Sequence, residues 1–155
     1  MRTRFVLLGA AAAMAGLAAC GGGNGGTADK TAPSPERPAS IKLSQTALGS
    51  IITDQSGRTL YAFVNDKAGT SSCSGECVAT WPALASKGKV TADGGLNVSL
   101  MKHTQRSEGT FQATYGDWPL YYYAGDSGPG DLDGQGVDGE WFTVGADGKL
   151  VKREA

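Results

Sequence analysis

The chain has 155 residues, one domain's worth of length, and its 24 glycines and 6 prolines favour turns over long helices. A hydrophobic content of 40% against 19% charged is too apolar for a wholly disordered chain. The formal net charge of -1 excludes the concentrated basic face that nucleic acid requires, and the single histidine excludes His-rich metal sites.

In chain order, Met1-Arg2-Thr3-Arg4 is a short positive segment, and Phe5 to Leu17 is an unbroken run of apolar and small residues. The run is too short for a comfortable bilayer span and has the pattern of a secretory signal. It ends in Leu17-Ala18-Ala19-Cys20 before Gly21-Gly22-Gly23, an ending that resembles the lipobox of bacterial lipoproteins. The resemblance implies cleavage before Cys20, a diacylglyceryl thioether on its sulfur, and acyl chains in a membrane. Each buried methylene contributes about 0.8 kcal/mol to such an anchor. Removing residues 1–19 takes away Arg2 and Arg4 and no acid, so the mature chain is more acidic still. Residues 20–40 carry much Gly, Pro, Ser and Thr and almost no apolar side chain, too little to offset the entropy of ordering them. The expected organisation is a signal peptide at 1–19, a lipidated disordered tether at 20–40, and a folded domain at 41–155 exported to the bacterial cell envelope.

The folded part aligns with itself at an offset of 60 without a gap. Gly49, Leu60, Tyr61, Phe63, Asp66 and Trp81 meet Gly109, Leu120, Tyr121, Tyr123, Asp126 and Trp141. Two similar halves, about 45–95 and 105–152, are expected to share one core. Within each half the apolar pattern has period two. Ser50–Thr53, Leu60–Val64, Thr110–Tyr115, Pro119–Tyr123, Trp141–Val144 and Leu150–Val151 read as strands, joined by Asp- and Gly-bearing turns. The spacing puts Tyr61 with Phe63, and Tyr121 with Tyr123, on one face, and Tyr122 on the other. A short helix within Cys73–Trp81, capped by Ser72 and ended by Pro82, is the one departure. The expected fold class is all-β: a small antiparallel domain, sandwich- or barrel-like, built from two similar halves.

Tyr61-Ala62-Phe63-Val64-Asn65-Asp66 and Tyr121-Tyr122-Tyr123-Ala124-Gly125-Asp126 both fit Y-x-[FWY]-x-x-D. This motif resembles that of a family of predicted bacterial lipoproteins, the secreted repeat of unknown function. The likeness extends over nearly all of residues 45–152 and implies membership without implying an activity.

At a strand end, Asp66 and Asp126 are placed to accept nearby backbone N–H groups, while inward tyrosines need hydroxyl partners at the core rim. Cys73 and Cys77 lie on an exported chain, where a local disulfide is expected, Gly75 permitting a turn tighter than a helix. The alternative is a copper or thiol-redox pair. The C-x3-C spacing resembles that of copper-delivery proteins of the envelope, with His103 and Met101 as the further donors available. His103 by itself reads as a surface residue in a polar run. Tyr122 with Trp118 offers a carbohydrate-binding patch, and Glu76 or Glu140 a candidate glycosidase carboxylate. The acidic loop at Asp126, Asp131, Asp133, Asp138 and Glu140 begins like a calcium loop, but Phe142 stands where an EF-hand closes with glutamate. Gly134–Gly139 matches a dinucleotide fingerprint yet precedes a strand, so that match fails on context. The reading adopted is a non-enzymatic binding or interaction module of the cell envelope, with no cofactor, metal or catalytic residue assigned. Its partners are membrane lipid through acylated Cys20 and an envelope protein or small ligand, not nucleic acid.

Overall fold

The computed structural model describes residues 39–106 and 109–155, so the signal sequence, Cys20 and nearly all of the tether lie outside the described residues. The strands are β1 (Ser40–Thr46), β2 (Gly49–Asp54), β3 (Tyr61–Phe63), β4 (Ala85–Ser86) and β5 (Thr91–Ala92). They continue with β6 (Met101–Gln105), β7 (Phe111–Tyr115), β8 (Trp118–Pro119), β9 (Trp141–Val144) and β10 (Leu150–Val151). A single α-helical turn, α1, occupies Cys77–Thr80. They assemble as three small sheets, ordered β2-β1-β5, β10-β9-β3 and β4-β7-β6, with β8 also on β7. Every pairing is antiparallel except β1 with β5.

Alternation along the chain entering β3 explains how it feeds a core on each side. Leu60 and Ala62 face an aliphatic core with Ile41, Ile52, Leu120 and Val144, whereas Tyr61 faces an aromatic core with Trp81, Tyr121 and Trp141. Leu60, Tyr61 and Ala62 are each 0% exposed because the strand feeds a core on either side. At roughly 1.5–3 kcal/mol per large buried side chain, these two cores supply the main favourable term.

The halves are related as the sequence predicts, but they exchange strands. β9 of the second half pairs with β3 of the first, Tyr61 opposite Thr143. Reciprocally, Ala83 of the first half bridges Tyr121 of the second. The flanking bonds repeat the symmetry: Val64 N–H donates to the Glu140 carbonyl at 2.9 Å, and Ala124 N–H to the Thr80 carbonyl at 2.9 Å. Two of the three sheets, β10-β9-β3 and β4-β7-β6, therefore draw strands from both halves.

Several elements differ from expectation for local reasons. β1 begins at Ser40, inside the expected tether, because Ile41 and its neighbours pair with β2. β6 is a strand where a polar surface run was expected, held by its full register against β7. Leu43 faces Ile52 in the first half and His103 faces Ala113 in the second, so the offset relating β1 to β6 grows by one residue for β2 and β7. Gly49 and Gly109 are therefore not equivalent positions. The helix is shorter than expected and begins at Cys77. Ser72 does not cap it; the capping position is Glu76, which makes no side-chain cap bond.

Candidate functional site: two crossed tyrosine–aspartate latches

The motif residues meet at the junction of the halves. Tyr61 and Tyr121 exchange backbone hydrogen bonds, N–H to carbonyl, at 2.8 and 2.9 Å. Their side chains then reach across. The Tyr121 hydroxyl donates to Asp66 Oδ2 at 2.7 Å, and the Tyr61 hydroxyl donates to Asp126 Oδ2 at 3.0 Å. Each tyrosine thus holds the aspartate of the other half's motif. Within each motif the aspartate N–H also bonds back to the aromatic carbonyl three residues earlier, Asp66 to Phe63 at 3.0 Å and Asp126 to Tyr123 at 3.2 Å. The spacing of the motif follows from this turn.

Between the latches lies an aromatic stack. The Trp81 and Trp141 rings are parallel with centroids 3.8 Å apart, Phe63 covers the outer face of Trp141 at 4.4 Å, and Tyr123 covers that of Trp81 at 4.4 Å. Tyr61 meets Trp81 edge-on at 5.6 Å, and Tyr121 meets Trp141 edge-on at 5.3 Å. All six rings come in pairs related by the repeat, and face-to-edge contacts of this kind add about 0.5–1.5 kcal/mol per pair beyond burial. Gly134 is required here by space: a Cβ would lie 2.8 Å from Tyr61 Cζ.

The two latches are unequal. Asp66 is 5% exposed and its Oδ1 accepts both the backbone N–H and the hydroxyl of Ser72, each at 2.7 Å. Ser71 extends this network, with its Oγ 2.7 Å from the Tyr121 hydroxyl and accepting from Arg106 at 3.2 Å. Arg106 also donates to Gln112 Oε1 at 2.7 Å, and Gln112, 0% exposed, donates to the Leu120 carbonyl at 3.0 Å. Asp126 is half-buried and accepts the Asp133 N–H at 3.1 Å, with Asp131 close by. Burial raises the Asp126 carboxyl above its ordinary value; the bonds from Tyr61 and the Asp133 N–H oppose that rise, and the charges of Asp133 and Asp131 add to it. Burial, and then the facing carboxylates, push the phenols of Tyr61, Tyr121 and Tyr122 well above the ordinary tyrosine value. At neutral pH these hydroxyls are donors, not bases or nucleophiles, and the arrangement acts as a clamp.

Cys73 and Cys77 form a disulfide, with Cα atoms 5.4 Å apart. Gly75, at φ +59, makes the tight turn between them, and the bridge ends on Cys77, the first residue of the helix. Cys73 packs in the aromatic core, tying the loop that bears Ser71 and Ser72 to the Asp66 latch. His103 is half-buried on β6, where its Nε2 accepts the Val90 N–H at 2.8 Å. Among the described residues no group of three His, Cys, Asp or Glu side chains gathers as a metal cage. Tyr122 turns to the aliphatic side, donates to Asp54 Oδ2 at 3.1 Å, and carries the Arg58 guanidinium 4.6 Å above its ring. Trp118 packs on the same core. Asp131 caps its own loop, its Oδ2 accepting the Ser127 and Gly128 N–H groups at 2.8 Å. Arg106, Ser71 and Gln112 carry no signal in the local sequence pattern. The crossed pairing had a signal, since two motifs of one tyrosine and one aspartate each permit exchange.

Fold and junction define a two-repeat β protein whose repeats are completed by each other. The chain belongs to the family described as the secreted repeat of unknown function, whose family model matches it twice, at residues 42–85 and 102–145. No curated protein and no solved structure matches it.

Proposed function

We propose that this protein is a non-enzymatic binding module of the cell envelope, anchored to a membrane by acylated Cys20 and held away from it by the residues 20–39. The observation that carries the reading is the engagement of the motif. Tyr61, Tyr121, Asp66 and Asp126 bond to one another across the halves, and a site meant for chemistry would present such groups to a cleft instead. Export is in keeping with the family description, and the disulfide is in keeping with an oxidising compartment. The partner class is an envelope protein or small ligand. Changing Cys20→Ala in the full chain should move the protein from the membrane fraction to the soluble fraction while its melting curve stays unchanged. Retention in the membrane fraction would refute the anchor.

A second reading, thiol exchange, has the half-buried Cys77 in its favour, the sulfur an attacking thiolate would reach. Under native conditions a dithiol reductant should open that bridge at a rate unaffected by mild urea. A rate that rises with unfolding would leave the bridge purely structural.

A further inference from the structure

We propose that the crevice at the open end of the β4-β7-β6 sheet is a binding site for a small aromatic acid, a single ring bearing a carboxylate. This deepens the binding-module reading, on which it rests, by naming a place and a ligand class. The crevice has a volume of about 210 Å³ and is lined by Lys87, Gly88, Lys89, His103 and Phe111. That is room for about seven waters at their liquid share, enough for one ring and its acid group.

The floor is built by register. On β7, Phe111 and Ala113 share a face; Ala113 is 0% exposed in the aliphatic core, and Phe111 continues that face out to the sheet end. Gln105 and Ser86 stand opposite Phe111 on either side, and His103 stands opposite Ala113. Phe111 is 37% exposed, one of two large hydrophobic side chains left open among the described residues. His103 Nε2 lies 2.8 Å from the Val90 nitrogen and 3.2 Å from its carbonyl oxygen, which fixes the ring at the side of the crevice.

The rim is cationic. Lys87 and Lys89 are exposed on either side of Gly88, where an added Cβ would meet nothing within 4 Å, and neither lysine makes an ion pair among the described residues. On a chain of net charge -1, two exposed lysines lining one crevice with a partly open phenyl ring are complementary to a flat apolar body with an anionic edge. The ring lies against Phe111 and the carboxylate meets the lysines. A bare anion lacks the first contact and a neutral ring lacks the second.

The test is a nuclear magnetic resonance titration of the full chain with benzoate, benzamide and inorganic phosphate. Benzoate should give saturable shifts centred on Lys87–Val90, His103 and Phe111, with benzamide and phosphate each binding at least tenfold more weakly. The double change Lys87→Gln and Lys89→Gln, at two exposed side chains, should weaken benzoate about tenfold. Phe111→Leu, which keeps an apolar side chain in place, should weaken it severalfold. Equal binding of benzamide or phosphate, benzoate binding that survives the double change, or shifts elsewhere on the protein would overturn the site. So would association of the crevice with phosphatidylglycerol vesicles in place of benzoate. Each of these failures is separate from failure of the anchored-module reading, which the fractionation of the Cys20→Ala protein decides.

Discussion

Replacing Tyr121 by Phe removes one hydroxyl, and with it the bond to Asp66 and the 2.7 Å contact with Ser71, while keeping the ring. The lost bond runs 2.7 Å to the carboxylate of Asp66, which is 5% exposed. Bonds to charged groups contribute about 1.5–3 kcal/mol, and an acceptor left buried without its donor keeps the desolvation cost. Asp66 retains two donors from Ser72, which places the expected loss near the middle, at about 2 kcal/mol. For a domain of this size that lowers Tm by about 8 °C. Tyr61→Phe removes the equivalent bond, but it is longer, at 3.0 Å, and Asp126 is half-buried, so water takes the place of the phenol. The expected loss there is about 1 kcal/mol. Urea unfolding followed by tryptophan fluorescence reads both, and the slope m should not change. A double-mutant cycle of Tyr121→Phe with Asp66→Asn should return a coupling of at least about 1 kcal/mol. Loss within about 0.5 kcal/mol of zero for Tyr121→Phe, zero coupling, or a larger loss for Tyr61→Phe would refute the reasoning.

Three further outcomes follow from the same geometry. The disulfide closes a loop of five residues from Cys73 to Cys77, so in the chain-entropy account Cys73→Ser with Cys77→Ser should lower stability by about 2 kcal/mol in a denaturant titration. Because the folded Asp126 carboxyl is raised above 3.8, its contribution is fully present below that pH and is lost as pH rises through the folded value. Asp126→Asn should therefore flatten the fall in stability above about pH 4, and an unchanged pH profile would contradict the assignment. The phenols of Tyr61, Tyr121 and Tyr122 are raised above 10, so their contribution is present below pH 10 and lost as pH rises further. In an ultraviolet titration, Tyr61, Tyr121 and Tyr122 should ionise only together with alkaline unfolding.

The sequence showed the repeat, the strands around both motifs, and the turn that closes the disulfide, because each of these is written in local spacing. Tyr61 and Phe63 reach the aromatic core, and Leu60 and Ala62 the aliphatic one, as period-two alternation requires. What escaped was long-range. Nothing near Met101-Lys102-His103-Thr104-Gln105 marks it as a strand; its partner β7 does, residue by residue. The exchange of β9 and the Ala83 segment between halves escaped for the same reason, since a half that pairs with itself and one that pairs with its twin share one pattern. The one-residue slip between β2 and β7 was hidden by a gap-free alignment in which Gly49 met Gly109. Ser72 reads as a cap before a helical segment, yet Asp66 takes both of its donors, a competition settled only by the folded loop.

The central claim is that the repeated motif locks two incomplete halves into one another. It is tested most directly by cutting the chain between them. A protease site inserted at the exposed Lys87-Gly88-Lys89 segment, between the matched stretches 42–85 and 102–145, allows the full chain to be cleaved after folding, and native mass spectrometry then weighs what remains. The account predicts one species with the mass of the whole chain plus one water, falling into two fragments only in denaturant. Two separate fragments under native conditions would contradict it.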